Sequence, residues 1–129
     1  MPKKHYGRVG DSALPGSGLY ANEFGAACCS GDGDEILKFC PAFHAVHLMS
    51  SGMTPQHACE EVVESIRTKT ENTIEIGMIA ANVKGEFGAS TTVKSWTDPL
   101  TGSKYQGFPY VVMTSAKQQP IIALAEVKL

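Results

Sequence analysis

Several features are missing from this 129-residue sequence, and each absence excludes a class of protein. No apolar run approaches the roughly 18 residues of a membrane-spanning helix, so no association with membrane is predicted. No run of Lys and Arg exceeds two residues and the formal net charge is -2, which argues against nucleic acid as a partner. Residues 1–6 also lack the apolar segment of a signal peptide, so the cellular location stays open.

The cysteines and histidines do not form a recognisable metal site. The four cysteines are Cys28, Cys29, Cys40 and Cys59, and they are not spaced as the two close pairs usual for zinc. His44 and His47 lie three residues apart on a predicted helix, but no third ligand with the same direction is evident. The acidic residues at 30–34 lack the further oxygen ligands of a calcium loop. We therefore predict neither a metal nor a cofactor.

The residues that are present predict one globular domain. Apolar residues make up 43% of the chain and charged residues 19%, which is an ordinary balance for a protein with a packed interior. A chain of this length can bury about two thirds of its unfolded surface, enough for a core without disulfides or metals. Because neither a repeat nor a domain boundary is visible, residues 1–129 are treated as one unit.

Two long helices have clear start signals. Pro41 suits the first turn of a helix over 41–50, with Phe39, Phe43 and Val46 spaced to face the core. Thr54 is a typical N-cap, and Pro55 suits the first position of the helix that follows. That helix carries an apolar stripe, formed by Ala58, Cys59, Val62, Val63 and Ile66. A shorter helix is predicted over 35–40.

The rest of the chain is predicted to form strands and loops. Residues 1–18 are expected to be an extended loop, because prolines and glycines are frequent there. Strands are predicted at 19–22, 25–30, 74–81, 87–93, 107–114 and 121–127, with 79–81 buried on both faces. Strands followed by helices and then by more strands indicate the α+β class, with helices covering one face of a mainly antiparallel sheet.

Residues 7–12 read Gly-Arg-Val-Gly-Asp-Ser and combine a cation and an anion in one turn. The guanidinium of Arg8 can pair with a carboxylate through two parallel hydrogen bonds. The carboxylate of Asp11 can accept hydrogen bonds from an ammonium group. Together these two side chains can hold both ends of a free amino acid. The alternative is that Arg8 and Asp11 pair with each other across the turn.

Residues 30–34 read Ser-Gly-Asp-Gly-Asp and form a second glycine-rich turn, directly before a predicted helix. Asp32 or Asp34 can cap that helix by accepting hydrogen bonds from its free N–H groups. A carboxylate there also matches the positive end of the helix dipole. Glycines around both turns allow the backbone to approach another group closely.

These two turns, together with Leu-Pro-Gly-Ser-Gly-Leu-Tyr-Ala at 14–21, closely resemble the carboxy-terminal subunit of the glycosylasparaginase family. That family belongs to the plant-type asparaginase (isoaspartyl peptidase) group of N-terminal-nucleophile hydrolases. The similarity continues through 39–49, 53–66 and 77–88 and fades after about residue 90. The resemblance implies the carboxy-terminal part of a four-layer αββα sandwich, made from a precursor that cleaves itself into two subunits. It also implies oligomers of such αβ units and a lysosomal location.

The resemblance assigns roles to four residues. Arg8 is similar to the arginine that binds the substrate α-carboxylate, and Asp11 to the acid that binds the α-amine. Ser30 stands where the family usually has threonine, and its hydroxyl with the Gly31 N–H would form the oxyanion hole. The implied reaction hydrolyses the side-chain amide of asparagine, free or sugar-linked. The nucleophile is an amino-terminal threonine whose own amine acts as the base.

The sequence departs from the family pattern in two ways. The nucleophilic threonine is expected about two strands before Arg8, and neither it nor the upstream subunit is found in these 129 residues. We therefore expect a partial domain that is inactive alone and needs the upstream subunit as partner. The alternative is a truncated, non-catalytic product that binds aspartate or asparagine, or associates with a full-length homologue. The resemblance further implies a cysteine pairing with Cys59 in lysosomal members, but Ala80 stands near that place, which weakens the lysosomal expectation.

Overall fold

The computed structural model describes residues 5–71, 73–115 and 117–127, and these residues form an α+β fold. The helices are α1 (Gly33–Ile36), α2 (Pro41–Ser50) and α3 (Pro55–Lys69). The strands are β1 (Leu19–Asn22), β2 (Gly25–Gly31), β3 (Ile76–Asn82), β4 (Phe87–Thr91), β5 (Ser95–Thr97), β6 (Lys104–Gln106), β7 (Phe108–Thr114) and β8 (Lys117–Ala125). The predicted fold class is confirmed. Within the described ranges, every helix is too short or too polar to cross a membrane.

Strands β1 to β4 form one antiparallel sheet in the order β1-β2-β3-β4. Helices α2 and α3 pack on one side of it, here called the inner face, and the other side is called the outer face. The inner face belongs to the main hydrophobic core, which includes Ala27, Cys29, Ile76, Met78 and Ala80. The outer face carries their strand neighbours, and the register there pairs Cys28 with Ile79 and Ser30 with Gly77.

The two long helices begin where their sequence signals predict. Helix α2 starts at Pro41 and α3 at Pro55, and Thr54 Oγ1 accepts a hydrogen bond from the His57 N–H at 3.3 Å. The apolar stripe of α3 is buried along its whole length. Such an amphipathic helix is stabilised mainly by packing, which explains why the pattern predicted it well.

The carboxy-terminal part forms two separate hairpins, β5-β6 and β7-β8. Strands β5 and β6 were not predicted, because three-residue strands are too short to show a period. The ring of Trp96 lies 5.9 Å from that of Tyr105 and 5.5 Å from that of Phe108, and this aromatic contact links the two hairpins. Strand β7 agrees with the prediction, whereas β8 begins four residues earlier than predicted.

Near the glycine-rich turns, one predicted loop contains a short helical turn, and one predicted helix has the wrong bounds. The loop predicted over 1–18 contains a 3-10 turn at Asp11–Ala13, and its residues 1–4 lie outside the described residues. The helix predicted over 35–40 starts earlier, as α1, and continues only as a 3-10 turn at Leu37–Phe39. Cys40 then takes a left-handed conformation with φ of 47°, which ends the turn before Pro41.

Two predictions of burial are also wrong. Phe43 is 47% exposed, because α2 turns Ala42, Ala45 and Val46 to the sheet instead. The Phe43 ring packs edge-on against that of Tyr20 at the margin of the core, 5.2 Å away. Residues 79–81 were predicted to be buried on both faces, but Ile79 is 44% exposed on the outer face.

Candidate active site

Asp11 is the most unusual polar residue in the described structure. The residue is only 8% exposed, and its Oδ2 atom is buried without a hydrogen-bond partner among the described residues. A buried carboxylate oxygen is normally paired, because losing water without a new partner costs free energy. Ser17 is a second such case, with its Oγ buried and unpartnered in the same part of the structure. The turn at 7–12 therefore holds a buried carboxylate oxygen that accepts no hydrogen bond from the described residues.

Local hydrogen bonds hold Asp11 in this position. Its carbonyl oxygen accepts from the Leu14 N–H at 2.9 Å and from the Gly18 N–H at 3.1 Å. A Cβ at position 18 would overlap the same carbonyl oxygen, so only glycine allows the chain to pass this closely. The segment is in turn attached to α2, because Gly16 O accepts from the Phe43 N–H at 2.9 Å.

Arg8 belongs to the same turn and is exposed. Its guanidinium folds back over Gly10, where a Cβ would lie 3.0 Å from Nη1. The pairs of charged groups within 4 Å in the described ranges do not include Arg8 with Asp11. The structure therefore does not contain the alternative ion pair between Arg8 and Asp11.

Ser30 and Gly31 lie at the end of β2, with Ser30 on the outer face opposite Gly77. Gly31 has a φ of +153° and packs so tightly that a Cβ would overlap the Glu75 carbonyl oxygen and lie 2.9 Å from Ile36 Cδ1. A residue with a side chain is excluded here both by conformation and by space. At the position predicted for the oxyanion hole, the main chain of Gly31 is therefore closely packed.

Asp32 fixes this turn onto the start of β3. Its N–H donates to Glu75 O at 2.8 Å, and its Oδ2 accepts from the Glu75 N–H at 2.8 Å. The prediction that the carboxylate of Asp32 or Asp34 caps the following helix is wrong, since α1 has no side-chain cap. The carboxylate of Asp32 holds two distant segments together instead. The sequence gives no sign of this, because Glu75 is 43 residues away.

The structure brings Asp11 next to the Ser30–Gly31 turn through Gly33. A Cβ on Gly33 would lie 2.8 Å from Cγ of Asp11 and closer still to its Oδ1. Gly33 follows Gly31 by two residues, a main-chain separation of at most about 7.6 Å. The two turns, nineteen residues apart from Asp11 to Ser30, therefore meet at one end of the sheet.

Cys29 lies under this meeting point on the inner face. Its thiol donates to the Ser17 carbonyl oxygen at 3.2 Å. Burial raises the pKa of Cys29 to about 12, and the nearby charges of Asp11 and then Cys28 add to the effect. The Cys29 thiol is therefore protonated at neutral pH and serves as a packing group that also donates a hydrogen bond.

A cleft of about 380 Å³ opens on the outer face beside Ser30 and Gly31. The β7-β8 hairpin forms its far wall, with Phe108, Pro109 and Tyr110. Burial, followed by the charge of Cys59, raises the pKa of Tyr110. Arg8 and Asp11 do not line this cleft. Sequence reasoning missed the aromatic wall, because no motif marks these residues and the resemblance fades before them.

Comparison with known proteins adds independent information. A family model described as Asparaginase matches residues 1–105. An N(4)-(β-N-acetylglucosaminyl)-L-asparaginase of Elizabethkingia miricola is 46% identical over 96 residues, which cover 69% of this chain and 28% of that protein. The protein of the same name from Rattus norvegicus is 45% identical over 85 residues, covering 65% of this chain and 24% of the relative. An L-asparaginase-like protein of Drosophila melanogaster is 45% identical over 86 residues, covering 65% and 21%.

The chain spans about a quarter of the length of the curated relatives that it matches. The observed helices and antiparallel sheet agree with the N-terminal-nucleophile hydrolase fold of this family. The match covers most of the chain and includes both glycine-rich turns and the sheet between them. This chain therefore belongs to the asparaginase family of amidohydrolases that includes the glycosylasparaginases.

Proposed function

We propose that this chain forms the substrate-binding part of an amidohydrolase that cleaves the side-chain amide of asparagine or of sugar-linked asparagine. The observation that carries the proposal is the buried carboxylate of Asp11, with an unpartnered oxygen at the point where the two glycine-rich turns meet. An α-ammonium group would supply the missing positive charge and hydrogen-bond donors. The relatives whose names specify β-N-acetylglucosaminyl asparagine support this substrate class.

In this proposal Arg8 binds the other end of the amino-acid head. Its guanidinium is exposed and lies over Gly10, next to Asp11 in the chain. A planar fork of donors suits a carboxylate better than a single ammonium does. Arg8 and Asp11 would thus orient the substrate by its α-carboxylate and α-amine, which leaves the side-chain amide directed towards Ser30 and Gly31.

The chemical step requires a nucleophile, which we propose is an amino-terminal threonine outside these 129 residues. Its amine takes the hydroxyl proton while the oxygen attacks the amide carbon. The Ser30 hydroxyl and the Gly31 N–H would donate to the resulting oxyanion. The threonine amine then passes the proton to the amide nitrogen, the C–N bond breaks, and ammonia or the amino-sugar leaves. Water next hydrolyses the acyl-enzyme and releases aspartate. A donor of this kind is worth roughly 3–4 kcal/mol in the transition state.

The upstream segment is also proposed as the partner that covers the outer face. Leu19, Ile79 and Phe87 are each more than 40% exposed there, although they are large apolar side chains. Contiguous exposed apolar surface on a protein commonly marks an interaction site. Assembly of such units into homo-oligomers belongs to the same proposal.

The test measures the release of aspartate from asparagine and from N(4)-(β-N-acetylglucosaminyl)-L-asparagine by the protein that carries this chain. We expect hydrolysis, with Arg8→Lys raising KM by about tenfold or more because the paired contact is lost. Ser30→Ala should lower kcat by about a hundredfold or more and leave KM little changed. An unchanged KM in Arg8→Lys would contradict the role of Arg8. Binding of aspartate without any hydrolysis would favour the non-catalytic alternative.

A further inference from the structure

We propose that Gly33 is a positioning residue for Asp11 and thereby determines how strongly the site selects a substrate with an α-amine. The inference rests on the proposed function, in which Asp11 binds that amine. Gly33 is the first residue of α1 and lies directly against the Asp11 carboxylate. It has the conformation of a helix residue, so its backbone gives no reason for glycine there. The reason is the space that the carboxylate occupies.

The contact is closer than any side chain would allow. A Cβ at position 33 would lie 2.8 Å from Asp11 Cγ and 3.2 Å from Asp11 Cβ, and it would overlap Oδ1. Real Cβ atoms essentially never come within 3.0 Å of another heavy atom in this way. Any residue other than glycine at position 33 must therefore displace the carboxylate or the helix.

Asp11 cannot move away from such a side chain as a whole. Its carbonyl oxygen accepts from two N–H groups, those of Leu14 and Gly18, and Gly18 packs closely against the same oxygen. The freedom that remains is rotation of the Asp11 side chain. A methyl group at position 33 would therefore turn the carboxylate away from its present direction, while the main chain of the turn stays in place.

The consequence is specific to the amine end of the substrate. The buried Oδ2 of Asp11 is the atom without a partner, and its direction depends on where Oδ1 rests against Gly33. The guanidinium of Arg8 lies over Gly10, whereas the three atoms nearest to a Cβ at position 33 all belong to Asp11. A change at Gly33 should therefore weaken recognition of the α-amine much more than recognition of the α-carboxylate.

The experiment compares two probes, L-aspartate and succinate, which carry the same two carboxylates but differ in the amine. Isothermal titration of the protein that carries this chain measures both affinities, in wild type and in Gly33→Ala. A hydrogen bond between charged groups is worth about tenfold or more in affinity. We expect Gly33→Ala to weaken L-aspartate binding by about this factor and succinate binding by less than about threefold. In Gly33→Ala, the ratio of the L-aspartate affinity to the succinate affinity should approach the ratio measured for Asp11→Asn.

The matched control is Gly88→Ala, at another close contact far from the turn. A Cβ there would overlap the backbone of Gln56 in α3, so this variant loses stability without touching Asp11. Its aspartate-to-succinate ratio should equal that of wild type. A ratio that is unchanged in Gly33→Ala, or lowered equally in Gly88→Ala, would overturn the positioning role.

A second measurement does not depend on ligand binding. Thermal melts of Gly33→Ala, Asp11→Ala and the double variant form a mutant cycle. Removing the carboxylate makes room for the methyl group, so the loss of Tm caused by Gly33→Ala should be much smaller in the Asp11→Ala background. Equal losses of Tm in both backgrounds would show that Gly33 and the Asp11 carboxylate are not in contact. If wild type binds aspartate no better than succinate while the cycle shows coupling, the proposed role of Asp11 fails and the steric contact remains.

Discussion

The two faces of the four-stranded sheet are built from the same strands but have different surroundings. On the inner face Ala27, Ile76 and Met78 are at most 2% exposed beneath α2 and α3. On the outer face Ile79 is 44% exposed, although it is the immediate neighbour of Met78 in β3. The residue types on the two faces are similarly apolar, so burial here is decided by what covers each face. The inner face holds the fold together, and the outer face carries Ser30 and the cleft.

The largest difference between the faces should appear in stability. Ile76 is fully buried and Ile79 is nearly half exposed, so Ile76→Ala and Ile79→Ala remove the same atoms from opposite faces of one strand. We expect Ile76→Ala to cost about 2–5 kcal/mol, because it leaves a cavity in the core. Ile79→Ala should cost less than about 1 kcal/mol. Urea unfolding measures both, and equal losses would show that the outer face is covered in the folded protein.

A smaller difference in stability is expected between alanine variants of two neighbouring residues in β2. Gly31→Ala should destabilise the protein by about 1–3 kcal/mol, because φ of +153° is strained for alanine and the methyl group would overlap Glu75. Ser30→Ala, on the exposed outer face, should change stability by less than about 0.5 kcal/mol. Thermal melts of both variants check this. A strong loss of stability in Ser30→Ala would contradict this expectation and would mean that the proposed loss of kcat has a structural cause besides the missing hydroxyl.

The dependence of stability on pH should reveal the buried thiols of the core. Burial, then the charges of Glu60 and Cys29, raises the pKa of Cys59 from 9.0 to about 12. Between pH 9 and about pH 12 the thiol loses its proton in the unfolded chain but keeps it in the folded protein. The contribution of Cys59 to the free energy of unfolding is therefore complete below pH 9 and is lost as the pH rises towards the folded-state pKa. The expected slope is about 1.4 kcal/mol per pH unit for each such thiol.

Unfolding free energies measured from pH 8 upward give this slope directly. Cys59→Ala should make the decline with pH shallower, since one buried thiol is removed. Val62→Ala, another cavity in the same helix, should lower stability by a similar amount at every pH and leave the slope unchanged. An identical slope in Cys59→Ala and wild type would contradict the attribution to this thiol.

The smallest effect concerns two adjacent cysteines that face opposite ways. Cys28 is exposed on the outer face, whereas Cys29 is 5% exposed and its thiol pKa is raised by burial. A disulfide reagent should therefore react with Cys28 in the folded protein and with Cys29 only after unfolding. The Cys28→Ser variant should lose one fast-reacting thiol, and Cys29→Ser none. Protection of Cys28 would indicate that a partner covers the outer face.

Much of the fold could be predicted from local patterns. The N-cap Thr54, the prolines at 41 and 55 and the apolar stripe of α3 each act within one helix, so the sequence alone indicates them. The β1-β2 hairpin is predicted for the same reason, and the Phe24 N–H donates to Asn22 Oδ1 in its turn at 2.9 Å. Exposure of Ile79 could not be predicted, because a strand does not reveal which of its two apolar faces is covered.

The candidate site also combines features that the sequence predicts with features that only folding decides. The residue types at Arg8, Asp11 and Ser30 and their resemblance to a family are properties of the sequence. The sequence left open whether Arg8 pairs with Asp11, and it suggested a helix cap for Asp32. Both questions depend on partners that are brought close only by folding, since Asp32 binds Glu75 and Asp11 rests on Gly33.

The sequence by itself determined the fold class, the two long helices and the family, because these depend on short-range periodicity, caps and the order of residue types. Only the tertiary structure decided which sheet face is buried, that the Asp11 carboxylate is confined between two glycine-rich turns, and that a carboxy-terminal hairpin forms the wall of the cleft. These features are contacts between residues far apart in the chain. Their energies come from burial and close packing, which no local pattern records.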